Sequence, residues 1–193
     1  MEQFYSIQGE GYHQGKAAHF IRLGGCDVGC HWCDVKESWN ASAHPIVPIE
    51  KILEDIDYQK SDLVIVTGGE PLMYNLEYMC TRLHGLNLKS HVETSGTSAL
   101  SGEWDWVTFS PKKFKNPLPI YYSIANELKV IVNNRSDLKW AEGHAAQVNT
   151  SCELYLQPEW TKRDKMMPLI MDYVRNNPKW RISLQVHKYL GVD

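Results

Sequence analysis

Three cysteines within eight residues constrain this chain more than any other stretch of its sequence. Cys26, Cys30 and Cys33 follow an apolar segment that ends at Leu23, with two glycines before the first cysteine. Cysteine thiolates bind soft metal centres strongly, and three of them so close in sequence can converge on one centre. The spacing therefore predicts a single soft metal centre at this loop.

The three cysteines could belong to one of three kinds of site. A disulfide framework is disfavoured because the chain has 193 residues, five cysteines and no secretory signal. A structural zinc ion would need a fourth ligand such as His31 or His44, although zinc ligands usually come as separated pairs. An iron–sulfur cluster held by three cysteines keeps one iron free to bind a small molecule. Spacing alone favours the cluster and leaves zinc open.

Composition limits the class of protein. With 43% hydrophobic residues in 193, the chain can bury one sizeable core, so we expect a single domain over residues 1–193. A net charge of −3 gives no reason to expect nucleic acid or an anionic membrane as a partner. No apolar run approaches a membrane span and no signal peptide precedes the cysteines, so we expect reduced thiols in a cytoplasmic protein.

Hydrophobic patterns predict strands and helices that alternate along the chain. Apolar residues at helical spacing predict helices after Pro48 and from Leu72, near 136–144 and near 164–176. The predicted strands lie at 18–23, 63–66, 89–93, 106–109, 127–132, 153–157 and 181–186. Such alternation is typical of a parallel sheet with right-handed crossovers.

The last three predicted strands each have one apolar face and one mainly polar face. The apolar faces hold Leu128, Val130, Val132, Leu154, Leu156, Ile182, Leu184 and Val186. The opposite faces include Glu127, Lys129, Glu153, Gln157, Arg181, Ser183, Gln185 and His187. We expect an α/β fold, a partial, splayed (β/α) barrel of about six mainly parallel strands, with ligands at the C-terminal ends of the strands. An antiparallel sheet with one wet face is the alternative.

Two segments are open to a structural or a functional interpretation. Residues 4–16 are polar and rich in glycine, which predicts a loop. Gln8 and Glu10 in this loop are either solvated or able to form hydrogen bonds with the donor and acceptor groups on the edge of a fused nitrogen heterocycle. Arg22 is either an exposed strand residue or a guanidinium clamp on a substrate carboxylate, whose shape its planar fork matches.

The cysteine spacing, with Trp32 before the third cysteine, resembles the cluster motif of radical S-adenosylmethionine (SAM) enzymes. A second motif, Thr67-Gly68-Gly69-Glu70-Pro71, follows a predicted apolar strand. In that superfamily a Gly-Gly-Glu-Pro segment contacts the amino group of SAM. The resemblance implies a [4Fe-4S] cluster held by Cys26, Cys30 and Cys33, SAM as a cofactor, and the radical SAM type of barrel with reduced helices.

Further segments resemble one family of these enzymes, the 7-carboxy-7-deazaguanine synthases. They are Ser6–Gly11, Phe20–Cys26, Trp32–Asp34, Glu93–Gly96, Ser110–Lys112 and Leu184–Lys188, in the order found in that family. The resemblance implies conversion of 6-carboxy-5,6,7,8-tetrahydropterin to 7-carboxy-7-deazaguanine with loss of ammonia, a step towards queuosine and related 7-deazapurines. A 5′-deoxyadenosyl radical, formed by reductive cleavage of SAM, would remove hydrogen from C6 of the substrate.

The resemblance also assigns individual residues. It places near SAM the residues Trp32, Cys33, Asp34, Gly69, Glu70, Ser95, Ser110, Pro111, Lys112 and Gln157. It places near the substrate Ile7, Gln8, Gly9, Glu10, Arg22, Thr67 and His187. It implies as partners a small pterin substrate, a reductase such as flavodoxin or ferredoxin, and a second copy in a homodimer.

One position departs from the family pattern. Family members commonly have Thr or Ser after the Cys-Asp pair, where the hydroxyl helps to bind Mg²⁺. Here the residue is Val35, which has no oxygen donor, although Mg²⁺ requires oxygen ligands. Either Asp34, the substrate and waters hold the ion, or the dependence on Mg²⁺ is weak.

Two other functions compete with this interpretation. A glycyl-radical activating enzyme would share the cluster and the Gly-Gly-Glu-Pro segment but would need a groove for a protein loop. A non-catalytic zinc or iron–sulfur protein would need neither the SAM-type segment nor the polar strand faces.

Overall fold

The computed structural model describes residues 1–192. Eight strands form one sheet and lie in it in sequence order. They are β1 Glu2–Ile7, β2 Ala17–Leu23, β3 Leu63–Gly68, β4 Lys89–Thr94, β5 Trp106–Phe109, β6 Glu127–Val132, β7 Glu153–Pro158 and β8 Trp180–Ile182. The α-helices are α1 Ile49–Glu54, α2 Glu77–Gly85, α3 Ile120–Ile124, α4 Ser136–Ala145, α5 Arg163–Asn176 and α6 Val186–Leu190.

The sheet is mainly parallel and open. β1 pairs antiparallel with β2, and every later neighbouring pair is parallel. Over residues 1–192, no strand pairing joins β8 to β1. The predicted partial, splayed barrel is confirmed, with eight strands rather than about six. In the same residues, no helix combines the length and apolar character needed to span a membrane.

Three boundaries differ from the prediction. The helix predicted from Leu72 begins only at Glu77, because Pro71–Met73 form a separate 3-10 turn that the Glu70 side chain caps. The loop predicted over residues 4–16 is wrong in its first part, because residues up to Ile7 form β1, where Phe4 stacks on Phe20 of β2 at 5.1 Å. The strand predicted over 181–186 is wrong after Ile182. There the Val186 N–H donates to the Gly9 carbonyl at 2.9 Å, so the chain leaves the sheet.

Helices cover the outer face of the sheet, as the apolar faces of the late strands predict. Val130 on β6 and Leu156 on β7 are fully buried in the core. Leu138 of α4 and Ile170 of α5 belong to the same buried cluster. Polar side chains, among them Lys129, are also buried, but on the concave inner face. The fold therefore places charged groups inside the barrel.

A strap, residues 8–16, crosses the open side of the barrel. The Gly11 N–H donates to Ser183 Oγ at 3.0 Å, beside the bond that joins Gly9 to residue 186. Gly11 has φ +63°, and a Cβ there would lie 2.1 Å from Glu127 Oε1. Glycine is required because the backbone approaches a buried carboxylate in a left-handed conformation. The strap thus links the start of the chain to the last strand.

Candidate active site

A cavity of about 250 Å³ lies at the C-terminal ends of the parallel strands. Residues at or near the ends of four strands line it: Thr67 on β3, Thr94 on β4, Ile131 on β6 and Gln157 on β7. The carboxyl ends of parallel barrel strands carry active sites because their loops converge there. Chemistry is therefore expected at this end.

The cysteine loop follows β2 and forms one wall of the cavity. Cys26, Cys30 and Cys33 all line the cavity and carry free thiols. The Cys33 N–H donates to the Cys30 carbonyl at 2.9 Å, which holds these two residues in one turn. Burial raises the pKa of the Cys30 thiol to about 11, although the charge of Lys112 opposes this. The thiolate therefore needs a strong positive centre beside it.

The Gly-Gly-Glu-Pro segment is joined to the cysteine loop by backbone hydrogen bonds. The Gly69 N–H donates to the Leu23 carbonyl at 2.9 Å, and the Glu70 N–H to the Gly25 carbonyl at 2.8 Å. A Cβ on Gly69 would lie 2.1 Å from the Gly25 oxygen, so only glycine permits this approach. The two motifs, which residues 34–66 separate in sequence, therefore form one continuous surface.

Glu70 fixes the position of this segment. Its side chain is buried, with 1% exposure, and its carboxylate accepts four hydrogen bonds. The donors are Leu72 N, Thr94 Oγ1, Ser95 N and Ser95 Oγ, at 3.3, 2.6, 2.8 and 2.5 Å. Protein groups use most of its acceptor capacity, so Glu70 braces the wall of the cavity.

A second group of predicted SAM residues lies near this wall. Lys112 Nζ donates to the Ser110 carbonyl and Oγ at 2.5 and 2.7 Å. Burial lowers the pKa of Lys112. Gln157 Oε1 accepts from Ser183 Oγ at 2.7 Å. Of all residues predicted to contact SAM or substrate, Pro111 alone is absent from the lining.

Apart from Thr67, which belongs to the Thr-Gly-Gly-Glu-Pro segment, the predicted substrate residues form a further part of the cavity lining, with two residues that sequence analysis did not assign. Gln8 Nε2 donates to Glu93 Oε1 at 2.8 Å, and Gln8 Oε1 accepts from the Glu10 N–H at 3.0 Å. Lys129 Nζ lies 2.5 Å from Glu10 Oε2 and 3.4 Å from Glu93 Oε2. The polar face of β6, which holds Glu127 and Lys129, was the available signal for this cluster.

Arg22 and His187 complete the predicted substrate wall. Arg22 Nη1 donates to Glu2 Oε1 at 2.8 Å, and its guanidinium lies 4.7 Å from the centre of the Phe4 ring. His187 packs against Gly9, where a Cβ would lie 2.1 Å from its Nδ1. Burial lowers the pKa of His187, which favours the neutral imidazole.

A single zinc ion has no prepared site. Across residues 1–192, no three His, Cys, Asp or Glu side chains converge as one metal ion requires. His44 Nε2 is instead within 2.8 Å of the Glu37 carbonyl, and His31 packs against Phe114 with ring centroids 5.3 Å apart. Thiolates on a cluster bind different irons, so they need not meet around one point.

Comparisons with known proteins agree with this geometry. The model of the Radical SAM superfamily matches residues 20–116. A 7-carboxy-7-deazaguanine synthase of Flavobacterium psychrophilum is 56% identical over 193 residues, which cover 100% of this chain and 91% of that protein. One from Synechocystis is 46% identical over 191 residues, covering 99% and 91%.

The chain belongs to the 7-carboxy-7-deazaguanine synthase family of radical SAM enzymes. The crystal structure of QueE from Escherichia coli is also similar, with a TM-score of 0.83 and 30% identity. That match covers 95% of this chain and 91% of the other.

A radical SAM enzyme of the 7-carboxy-7-deazaguanine synthase family uses a [4Fe-4S] cluster and SAM, and the residues present fit both. The donor set is three free cysteines on one loop, the ligand type that such clusters require. Gly69, which lies against the Gly25 carbonyl, lets this loop and the Gly-Gly-Glu-Pro segment approach each other closely. The same residues match the motifs that suggested the family.

The residues present do not fit Mg²⁺. Asp34 Oδ2 accepts from Gln185 Nε2 at 3.0 Å and is paired with Lys188 Nζ. Burial opposes ionisation of Asp34, but the hydrogen bonds from Lys188 and Gln185 outweigh it and lower its pKa. Val35 lines the cavity without an oxygen donor. One carboxylate already neutralised by an ammonium is a poor site for a cation that needs oxygen ligands.

Proposed function

We propose that this protein converts 6-carboxy-5,6,7,8-tetrahydropterin to 7-carboxy-7-deazaguanine with loss of ammonia, in the biosynthesis of queuosine or a related 7-deazapurine. The observation that carries the proposal is one cavity with two unlike walls. The cysteine loop and the Gly-Gly-Glu-Pro segment form one wall. A charged cluster of Gln8, Glu10, Glu93 and Lys129 forms the other, and it suits a polar heterocycle.

Each wall has its own task in this proposal. Cys26, Cys30 and Cys33 hold the cluster, which when bound supplies the electron that cleaves SAM reductively. The residues for SAM are Trp32, Cys33, Asp34, Gly69, Glu70, Ser95, Ser110, Lys112 and Gln157. Those for the substrate are Ile7, Gln8, Gly9, Glu10, Arg22, Thr67 and His187. The protein orients the reactants and excludes water, while the cofactors carry the difficult chemistry.

The wider setting also follows the family resemblance. Residues 1–193 act as a single radical SAM domain in the cytoplasm, where free thiols such as the five here are stable. A reductase such as flavodoxin or ferredoxin supplies the electron, and two copies form a homodimer. Mg²⁺ has at most a weak effect, because Val35 offers no oxygen and Lys188 neutralises Asp34.

The decisive experiment is product identification. The protein, reconstituted anaerobically with iron and sulfide, is incubated with SAM, a reductant and carboxytetrahydropterin. Mass spectrometry should detect 7-carboxy-7-deazaguanine, ammonia and 5′-deoxyadenosine. Cys30→Ala should yield none of these and bind less iron, whereas Cys152→Ala, a thiol outside the cavity, should match the natural protein. SAM cleavage without consumption of the pterin would contradict the proposed substrate.

A further inference from the structure

Lys129 is a buried cation in the lining of the cavity, and the family motifs do not include it. Its side chain is 5% exposed and projects from β6 into the barrel. Glu10 of the strap and Glu93 of β4 are its two ion-pair partners, with side chains 15% and 21% exposed. Lysine is seldom buried unless it is paired, so this arrangement has a specific cause.

Lys129 has a third acidic neighbour besides the two that pair with it. This neighbour, Glu127, is 1% exposed and accepts from the Tyr12 N–H at 3.1 Å and from Trp106 Nε1 at 3.3 Å. Burial opposes the charge of Lys129, but Glu10, Glu93 and Glu127 outweigh it and raise its pKa. Lys129 is therefore charged. Burial opposes ionisation of Glu93, but the charge of Lys129 and the hydrogen bond from Gln8 outweigh it and lower the pKa of Glu93.

The two paired carboxylates retain acceptor capacity towards the cavity. Lys129 uses Glu10 Oε2 and Glu93 Oε2, and Gln8 uses Glu93 Oε1. An ionised carboxylate offers about four lone-pair sites, so each has sites left for a ligand. A ligand that matches them presents N–H donors in one plane, as the amino-substituted edge of a pyrimidine ring does.

We propose that Lys129 is a positioning residue for the substrate, because its ammonium pairs with the Glu10 and Glu93 carboxylates and holds them in place as acceptors for the N–H edge of a planar heterocycle. This inference rests on the proposed function, which supplies such a ring in the pterin. Lys129 acts through its two partners and does not itself contact the substrate.

Removal of the ammonium has a consequence that depends on pH. Without Lys129, two carboxylates in a poorly solvated site repel each other, and one takes up a proton at a higher pH than before. A protonated carboxyl group donates where the substrate edge needs an acceptor. Binding should therefore weaken as the pH falls and recover as it rises. The other titratable groups that sense this cluster are Lys112, His13, His91 and His187.

The test compares pterin binding to SAM-loaded natural protein and Lys129→Met by calorimetry at two pH values. At about pH 6.5 the variant should bind about tenfold or more weakly, the scale of a lost charged hydrogen bond. At about pH 8.5 the difference in pterin affinity between the natural protein and Lys129→Met should be smaller. The double variant Lys129→Met/Glu93→Gln should depend less on pH, because one of the repelling carboxylates is neutral.

Controls separate this role from a structural one. Lys179→Met removes an exposed lysine that pairs with Glu142 and should bind the pterin as the natural protein does. Iron content and SAM affinity should not change in any variant. If Lys129→Met is too unstable to measure, Lys129→Gln and the double variant provide the same comparison.

Each remaining outcome has a definite meaning. A natural protein that does not bind the pterin overturns both the proposed function and this inference. If the natural protein binds it and Lys129→Met binds equally well at both pH values, the inference alone is wrong. A loss of the same size at every pH would show that Lys129 contacts the substrate itself, which also contradicts the inference.

Discussion

Arg22 shows how a single side chain can be positioned before its ligand arrives. Its guanidinium pairs with Glu2, which lies directly opposite it in the β1–β2 register. Both side chains are partly exposed, 25% and 44%, so this ion pair contributes little stability by itself. A substrate carboxylate can take the place of Glu2 because the same planar fork binds either group.

If the substrate carboxylate replaces Glu2 on Arg22, substitutions of Arg22 and of Glu2 should have opposite effects on substrate binding. Arg22→Lys should raise the KM for the pterin about tenfold, because a point charge does not replace a bidentate fork. Glu2→Gln should leave KM unchanged or lower it, since it removes an internal competitor. Steady-state kinetics measure both, with SAM cleavage in the absence of pterin as the control. Equal increases in KM for the two variants would show that Arg22 serves only the β1–β2 pair.

Val35 lies where an additional oxygen donor would change the response to metal. We expect turnover of the natural protein to respond weakly to Mg²⁺ after chelator treatment. Val35→Thr, nearly isosteric, should lower the Mg²⁺ concentration for half-maximal stimulation, because it adds a hard donor beside Asp34. Turnover against Mg²⁺ concentration, measured for both proteins together, is the test. The same steep dependence in both would mean that position 35 does not contribute to metal binding.

Among the structural elements, the contact between the cysteine loop and the Gly-Gly-Glu-Pro segment tolerates the least change. Gly69→Ala would place a Cβ 2.1 Å from a backbone oxygen, which no side-chain movement relieves. The variant should lose about 2 kcal/mol or more of stability and bind less iron and SAM. Gly143→Ala is the matched control, because its Cβ meets nothing within 4 Å and alanine favours a helix.

Thermal unfolding and iron analysis of these two variants decide the point. A Gly69→Ala protein with the melting temperature and iron content of the natural chain would show that the two motifs can move apart without loss of stability or of iron binding. The control should unfold at the natural temperature or slightly above it.

The helices and strands that the sequence predicted correctly are those whose hydrophobic pattern lies within the element itself. Alternating apolar residues indicated β6 and β7, and helical spacing indicated α5, because each pattern lies within one element. β1 was missed because its pairing with β2 depends on residues 10 to 20 positions away. The late strand stops at Ile182 because the strap binds the residues after it, and these contacts join distant parts of the chain.

The sequence likewise predicted the parts of the candidate site that lie in short motifs, and not those that distant residues form together. The cysteines and the Gly-Gly-Glu-Pro segment are short motifs, so the sequence shows them directly. The polar face of β6 indicated a cavity wall, but the partners of Lys129, Glu10 and Glu93, lie 119 and 36 residues away, and no spacing reveals them. Paired charges that meet only after folding are the part of the site that a single sequence does not contain.

At the scale of the whole molecule, the barrel encloses a second polar layer beneath the cavity. His13 of the strap and His91 of β4 pack with ring centroids 5.2 Å apart, and each has an Nδ1 without a partner. Burial lowers the pKa of His13 to about 4, and burial also takes the pKa of His91 well below its usual value. Both rings are therefore neutral in the folded protein.

Neutral buried histidines make stability depend on pH in a definite direction. In the unfolded chain these rings take up protons below about pH 6.5, while the folded chain resists protonation of His13 down to about pH 4. The unfolded state thus binds more protons, and the free energy of unfolding should fall as pH falls through this window. Each ring contributes a slope of up to about 1.4 kcal/mol per pH unit.

Urea unfolding of cluster-free protein between about pH 7 and pH 5 measures this slope. His13→Gln should flatten it, because glutamine does not titrate. A natural protein and a variant with parallel profiles would assign the acid sensitivity to other groups.

The strap also bears on how the chain matures during synthesis. A ribosome makes the cysteine loop well before it makes Ser183 and residue 186, which anchor the strap across the open side. Throughout that interval a nascent chain exposes three thiols without the late strands of the barrel around them. Their metal centre must therefore be delivered after the last strand has emerged, or the thiols must be protected from oxidation until then.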